Sequence, residues 1–228
     1  MSLAYAPPLT TKQKPPAKPD AKLDAPPGYQ PGFEVPSIHT LISHSYLRSV
    51  PPISYQRMST RQFLALPETN LKCEWVQGWA ILMAPEYSLN NVVLAEIAFR
   101  IKRAFPKAIV LQHSGLDLGY ASKREPDLAV YGHSVQNAPY PSDLPILVAE
   151  VLSKSTRHSD LVVKRGEYAN RGIAHYWIVD AEARWIKVLE LVAGEYLEVQ
   201  LINEENPEAD LEIDGLGKLR IDLAEVIP

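Results

Sequence analysis

Hydrophobic positions along this 228-residue chain fall into short runs with two distinct periods, and the periods predict its elements. Leu94, Ile97, Ala98, Ile101 and Phe105 recur at helical spacing, so a long helix capped by Ser88 and stopped by Pro106 is expected. Ser59 followed by Gln62 fits a capping box that opens a shorter helix through about Leu66, closed by Pro67. "KCEWVQGWAILM", residues 72–83, predicts two strands about a Gln77-Gly78 turn. Further strands are expected at about 109–112, 116–119, 127–131 and 146–152. A helix from about Ser159 should end at Gly172 in a left-handed cap. "AHYWIVD", "RWIKVLEL" and "EYLEVQLI" give three more strands, the last two joined at Ala193-Gly194. The order predicts a mixed α/β domain.

The opening stretch has no such periodicity. About half of the 20 prolines lie in roughly the first fifty residues, among small and charged side chains. Residues 1–36 are therefore expected to be a Pro-rich disordered arm, 37–57 a linker with a candidate short helix at 37–50, and 58–228 the folded domain. The sequence has neither a secretory leader pattern nor an apolar run of membrane-spanning length, which predicts a soluble, cytoplasmic protein. A single cysteine, Cys73, excludes an internal disulfide and a cysteine-based zinc site; it is expected to pack as a small hydrophobe.

A net charge of −4 looks unfavourable for nucleic-acid binding, but the charge is unevenly spread. Residues 100–171 carry about eleven Lys and Arg against about seven acids, whereas 172–228 carry about four against thirteen. The first segment has the balance to meet phosphate, although two ordinary solvated faces would look the same.

One residue breaks the hydrophobic pattern in a way stability does not explain. Ile146, Leu147, Val148, Ala149, Val151 and Leu152 have the composition of a strand buried on both faces, yet Glu150 stands among them. An isolated carboxylate there costs several kcal/mol or shifts its pKa until neutral. Upstream, Pro126 precedes Asp127 at the start of the 127–131 strand, and about twenty residues separate it from Glu150, enough for neighbouring strands. Two acids side by side need a positive charge between them, and oxygen ligands without Cys point to magnesium or manganese. Lys164 shares a helical stripe with Leu161 and Tyr168, so it faces the sheet. It either snorkels outward, pairs with Asp160 or Glu150 without a metal, or reaches the acidic pair to position a nucleophile. Asp127 also has an alternative, as a turn residue after proline.

"EPDLAVYG" followed by "ILVAEVLSKSTRHSDLVVKRGEYANRGIAHYWIVD" resembles the Uma-two family of restriction endonucleases, within the PD-(D/E)XK nuclease superfamily. "CEWVQGWAILMAPEYS" extends the resemblance back to a hairpin and the helix after it, so that it covers about residues 58–228. The resemblance implies a restriction-endonuclease-like core, a central mixed β-sheet flanked by α-helices, with Asp127 and Glu150 as metal ligands. The superfamily's usual lysine lies two residues after the Glu, where this chain has Leu152; the family's pattern places it on the following helix, which suits Lys164. Glu74 matches the acid of the family's first hairpin, and Asn91 stands where the family commonly has a histidine. The implied activity is Mg²⁺- or Mn²⁺-dependent hydrolysis of DNA; because nucleases that cut both strands often pair by symmetry, a homodimer is a further expectation. Two other readings stay open: a nuclease-like module that binds DNA or protein without cutting, and a dimerisation or adaptor module that uses its aromatic strands.

Overall fold

The computed structural model describes residues 53–67, 71–83, 85–119, 122–154 and 156–228; the expected arm and the candidate helix at 37–50 lie outside them. β1 (Ile53–Arg57) leads into α1 (Thr60–Leu64), which carries the predicted capping box: Gln62 N–H donates to Ser59 Oγ and Ser59 N–H to Gln62 Oε1. β2 (Cys73–Val76) and β3 (Trp79–Met83) follow, turning at Gln77 and Gly78 with φ of 49° and 90°. Two successive left-handed residues are what a tight hairpin turn requires. α2 (Ser88–Ala104) is the long helix, but Ser88 is its first helical residue and Tyr87 occupies the cap position without a side-chain hydrogen bond.

Then come β4 (Ile109–Gln112), β5 (Leu116–Asp117), β6 (Ser122–Arg124), β7 (Leu128–Tyr131) and β8 (Leu147–Val151). A π turn at Ser159–Val163 runs into α3 (Lys164–Arg171), which ends at left-handed Gly172. β9 (His175–Asp180), β10 (Trp185–Val192), β11 (Glu195–Ile202), a hairpin of β12 (Glu208–Ile213) and β13 (Gly217–Asp222), and short α4 (Leu223–Val226) complete the chain.

Six strands form the mixed sheet in the order β11-β10-β9-β8-β7-β4, with β8 and β9 parallel and the other pairs antiparallel. A second, antiparallel sheet has the order β1-β3-β2-β6-β5. The strand alternation sorts β8 between two cores. Leu147, Ala149 and Val151 pack with Val93, Leu94, Ile97 and Ile101 of α2 and with Leu211 and Ile221 of the last hairpin. Val148 packs on the opposite face with Tyr168 of α3, Tyr176 and Ile178. Glu150, two residues beyond Val148, belongs to that second face.

Several expectations need correction. Residues 53–57, taken as linker, form β1, hydrogen-bonded to β3 with Tyr55 opposite Ile81, so the folded part begins before residue 58. The strand expected at 116–119 is only the two-residue β5. β6 was not anticipated because "SKR" has no apolar alternation, and it is built by pairing with β2 and β5. The β12–β13 hairpin buries few apolar side chains, chiefly Leu211, Ile213, Leu219 and Ile221, in an otherwise charged segment. None of the described helices is long and apolar enough to cross a membrane.

Candidate active site

Asp127 immediately precedes β7, and Glu150 is the fourth residue of β8. These strands are antiparallel neighbours with Leu128 opposite Ala149, which brings Asp127 alongside Val151 and Glu150. Val151 N–H donates to Asp127 Oδ2 at 2.8 Å, and Lys72 Nζ donates to Asp127 Oδ1 at 2.6 Å. Glu150 Oε1 accepts from Lys164 Nζ at 2.9 Å and from Tyr168 Oη at 2.7 Å. Lys164 Nζ also lies 3.0 Å from Asp160 Oδ1 and 3.4 Å from Glu74 Oε1.

Local structure explains how one helix supplies three of these groups. Lys164 N–H bonds to Ser159 O, five residues back, so the π turn inserts one residue before the regular helix begins. Asp160, Lys164 and Tyr168 are then all buried toward the sheet, with Leu161 half-buried beside them. Tyr176 Oη fixes the turn by donating to Asp160 O at 2.8 Å. Behind the cluster, Arg124 donates to Glu74 at 2.7 Å and to Glu167 at 2.6 and 3.0 Å, while Glu125 N–H donates to Glu74 Oε1.

Among the described residues, Glu74, Asp127, Glu150, Asp160 and Glu167 thus share the cations Lys72, Lys164 and Arg124, with the His113 imidazole close to Asp127. The carboxyls respond unequally. Burial alone would raise Glu74, but Lys164, Arg124 and Lys72 outweigh it and hold the group at about 2. Burial would likewise raise Asp127, yet Lys72 and Lys164 keep it below the usual carboxylate range. For Glu150, burial wins over Lys164, Asp127 adds repulsion, and the carboxyl is pushed up to about 8. Lys164 stays protonated because Asp160, Glu150 and Glu74 overcome the cost of its burial.

Among the described residues, no three or more His, Cys, Asp or Glu side chains already stand grouped to hold a metal ion. The donor chemistry nevertheless fits a hard divalent cation. Asp127 and Glu150 are oxygen donors fixed on adjacent strands, and the cluster has a surplus of carboxyl groups that an added cation would balance. Cys73 is no thiolate ligand: burial, then Glu125 and Glu74, push its thiol up to about 12. A cleft of about 540 Å³ is lined by Phe63, Leu66, Leu71, Cys73, Glu125 and Tyr140, of which Cys73 and Glu125 are chain neighbours of cluster residues. His113, on the same cleft, brings Nδ1 to 3.9 Å from Asp127 Oδ1.

All four residues singled out in the sequence, Glu74, Asp127, Glu150 and Lys164, are therefore gathered in one buried cluster. Lys164 is 1% exposed, so it does not snorkel outward, and Asp127 does more than terminate a turn. Sequence reasoning missed Lys72, Arg124 and Glu167. Lys72 sits directly before "CEWV" and Arg124 directly before "EPD", and adjacency to the acids was the available signal. Asn91 is exposed; its neighbour Asn90 is the buried one, donating from Nδ2 to Leu152 O at 3.2 Å and to Glu86 at 3.3 Å.

No curated protein matches the chain. Among solved structures, a crystal structure of "a putative nuclease belonging to DUF820 from Anabaena variabilis ATCC 29413" is similar, with a TM-score of 0.62 at 17% identity. The similarity covers 73% of this chain and 96% of that one, and it shows a shared fold. Residues 60–224 match the Uma2 family, described as "Putative restriction endonuclease". That match spans the whole acidic cluster and most of the sequence, and the chain belongs to the Uma2 family.

Proposed function

We propose that this protein is a Mg²⁺- or Mn²⁺-dependent endonuclease that hydrolyses DNA phosphodiester bonds at the Asp127–Glu150 cluster. The observation that carries the proposal is the juxtaposition of two buried carboxylates on adjacent strands, with a buried lysine on the second. Asp127 and Glu150 would hold the ion. Once bound, the ion would lower the pKa of a coordinated water and offset charge at phosphorus.

The remaining residues act by positioning. Val151 N–H orients Asp127, and Lys164 with Tyr168 orients Glu150 through its Oε1. Lys164 is surrounded by Glu150, Asp160 and Glu74, so its work is to set the carboxylates rather than to touch the attacking water. Glu74 assists by holding Lys164 and Arg124 in place. Exposed Lys154, in the loop after β8, is available to phosphates beside the site. A homodimer with two-fold symmetry would present one such site to each DNA strand.

The enclosure of Lys164 favours a second reading, a nuclease-like module that binds DNA without cutting it. Supercoiled plasmid incubated with Mg²⁺ or Mn²⁺ separates the two. Wild-type protein should nick it, and Glu150→Gln should reduce the rate by on the order of 10²-fold or more while DNA binding persists. Equal nicking by both proteins would contradict the assigned site, and binding without nicking by the wild type would favour the module.

A further inference from the structure

We infer that Lys72 is the resident counter-ion of the proposed metal site, a positioning residue that a divalent cation must displace from Asp127. Of the two Asp127 oxygens, Oδ2 is tied to the Val151 N–H, so Oδ1 is the oxygen left to receive a cation. Lys72 Nζ occupies that place at 2.6 Å. A divalent ion would approach the same oxygen to about 2.0–2.1 Å for Mg²⁺, and an ammonium and a metal ion cannot both sit there where little water screens their repulsion.

The two lysines of the cluster differ in how they are held. Lys164 is enclosed by Glu74, Glu150 and Asp160 and is 1% exposed. Lys72 lies one residue before β2, and its side chain is 9% exposed. Its backbone is pinned, because Met83 N–H donates to Lys72 O at 3.0 Å. Its flexible stem of four carbons lets the ammonium swing off Asp127 toward Glu125 and His113, both of which already feel its charge. Lys72 therefore holds Asp127 in its metal-binding orientation and leaves when the ion arrives. Metal affinity is lowered by the fraction of time the ammonium fills the site.

The inference rests on the proposed metal site, and the test separates the two. Mn²⁺ is titrated calorimetrically into the wild type and into Lys72→Met, which keeps the stem but removes the charge. The variant should bind Mn²⁺ about tenfold more tightly, as expected if the ammonium fills the site roughly nine-tenths of the time. Equal or weaker binding by the variant, beside a wild type that binds, overturns the inference and leaves the metal site standing. Binding by neither protein overturns both. A second readout needs no substitution: amine-reactive labelling of the wild type, followed by mass spectrometry, should show Lys72 labelled about tenfold faster at saturating Mn²⁺, with Lys164 unchanged. Unaltered labelling of Lys72 under those conditions overturns the inference even if Lys72→Met fails to fold.

Discussion

Glu150 persists in a doubly buried strand because its polar neighbours converge on it: Lys164 Nζ and Tyr168 Oη both donate to Oε1. Burial, with repulsion from Asp127 added, pushes its carboxyl up to about 8 in the metal-free protein. Glutamine keeps the accepting oxygen, so Glu150→Gln should cost about 1 kcal/mol or less in urea unfolding at pH 7. It should also abolish any rise in melting temperature caused by Mg²⁺. Glu150→Leu removes the acceptor and leaves Lys164 short of a buried partner, at an expected cost of about 3–5 kcal/mol. At this scale the sequence was informative where a residue contradicted its surroundings. Glu150 in an apolar run and Lys164 on a core-facing stripe both stood out, whereas Lys72 in a polar approach to β2 did not, because its one local mark, adjacency to an acid-bearing strand, does not distinguish a charge buried by distant strands from a solvated one. Asn90 and Asn91 are adjacent and chemically identical, so only the helix phase decides which of them turns inward.

The elements carrying the site depend on a few backbone positions. Gly172, at φ 85°, ends α3 and donates its N–H to Tyr168 O and Ala169 O, fixing the helix that presents Lys164 and Tyr168. Gly172→Ala forces a side chain into the left-handed region and should lower stability by about 1–2 kcal/mol, read as a shift in the urea midpoint at constant slope. The glycine, the capping box at Ser59 and the Gln77-Gly78 turn were legible because each is a local requirement with its own residue signature. β1 and β6 were not. Their pairing partners, β3 for the one and β2 for the other, lie in different parts of the chain, and tertiary pairing overrides weak local propensity. The π turn before Lys164 was equally hidden, since the helical stripe looks almost the same with one residue added.

Across the whole molecule, the mixed sheet separates an apolar core under α2 from a polar cluster under α3, and the alternation of β8 assigns Glu150 to the second. Away from the cluster, His175 offers a pH response of known sign. It is 2% exposed, burial lowers its imidazole below the ordinary value, and Asp214 N–H donates to its Nε2, which must therefore be unprotonated. Below about pH 6.5 the unfolded chain binds the proton more readily than the folded one. Its stabilising contribution is thus present above that pH and is lost as pH falls through the lowered folded value. The melting temperature should fall as pH drops below about 6.5, and His175→Gln should flatten that part of the profile. An identical slope in the variant would assign the loss to other groups. Anomalous diffraction from crystals soaked in Mn²⁺ decides whether the acidic cluster is a metal site. A metal site there gives a single strong peak between Asp127 and Glu150 that disappears in Asp127→Ala; no peak at saturating Mn²⁺, or one that survives the substitution, means that the cluster does not hold the ion.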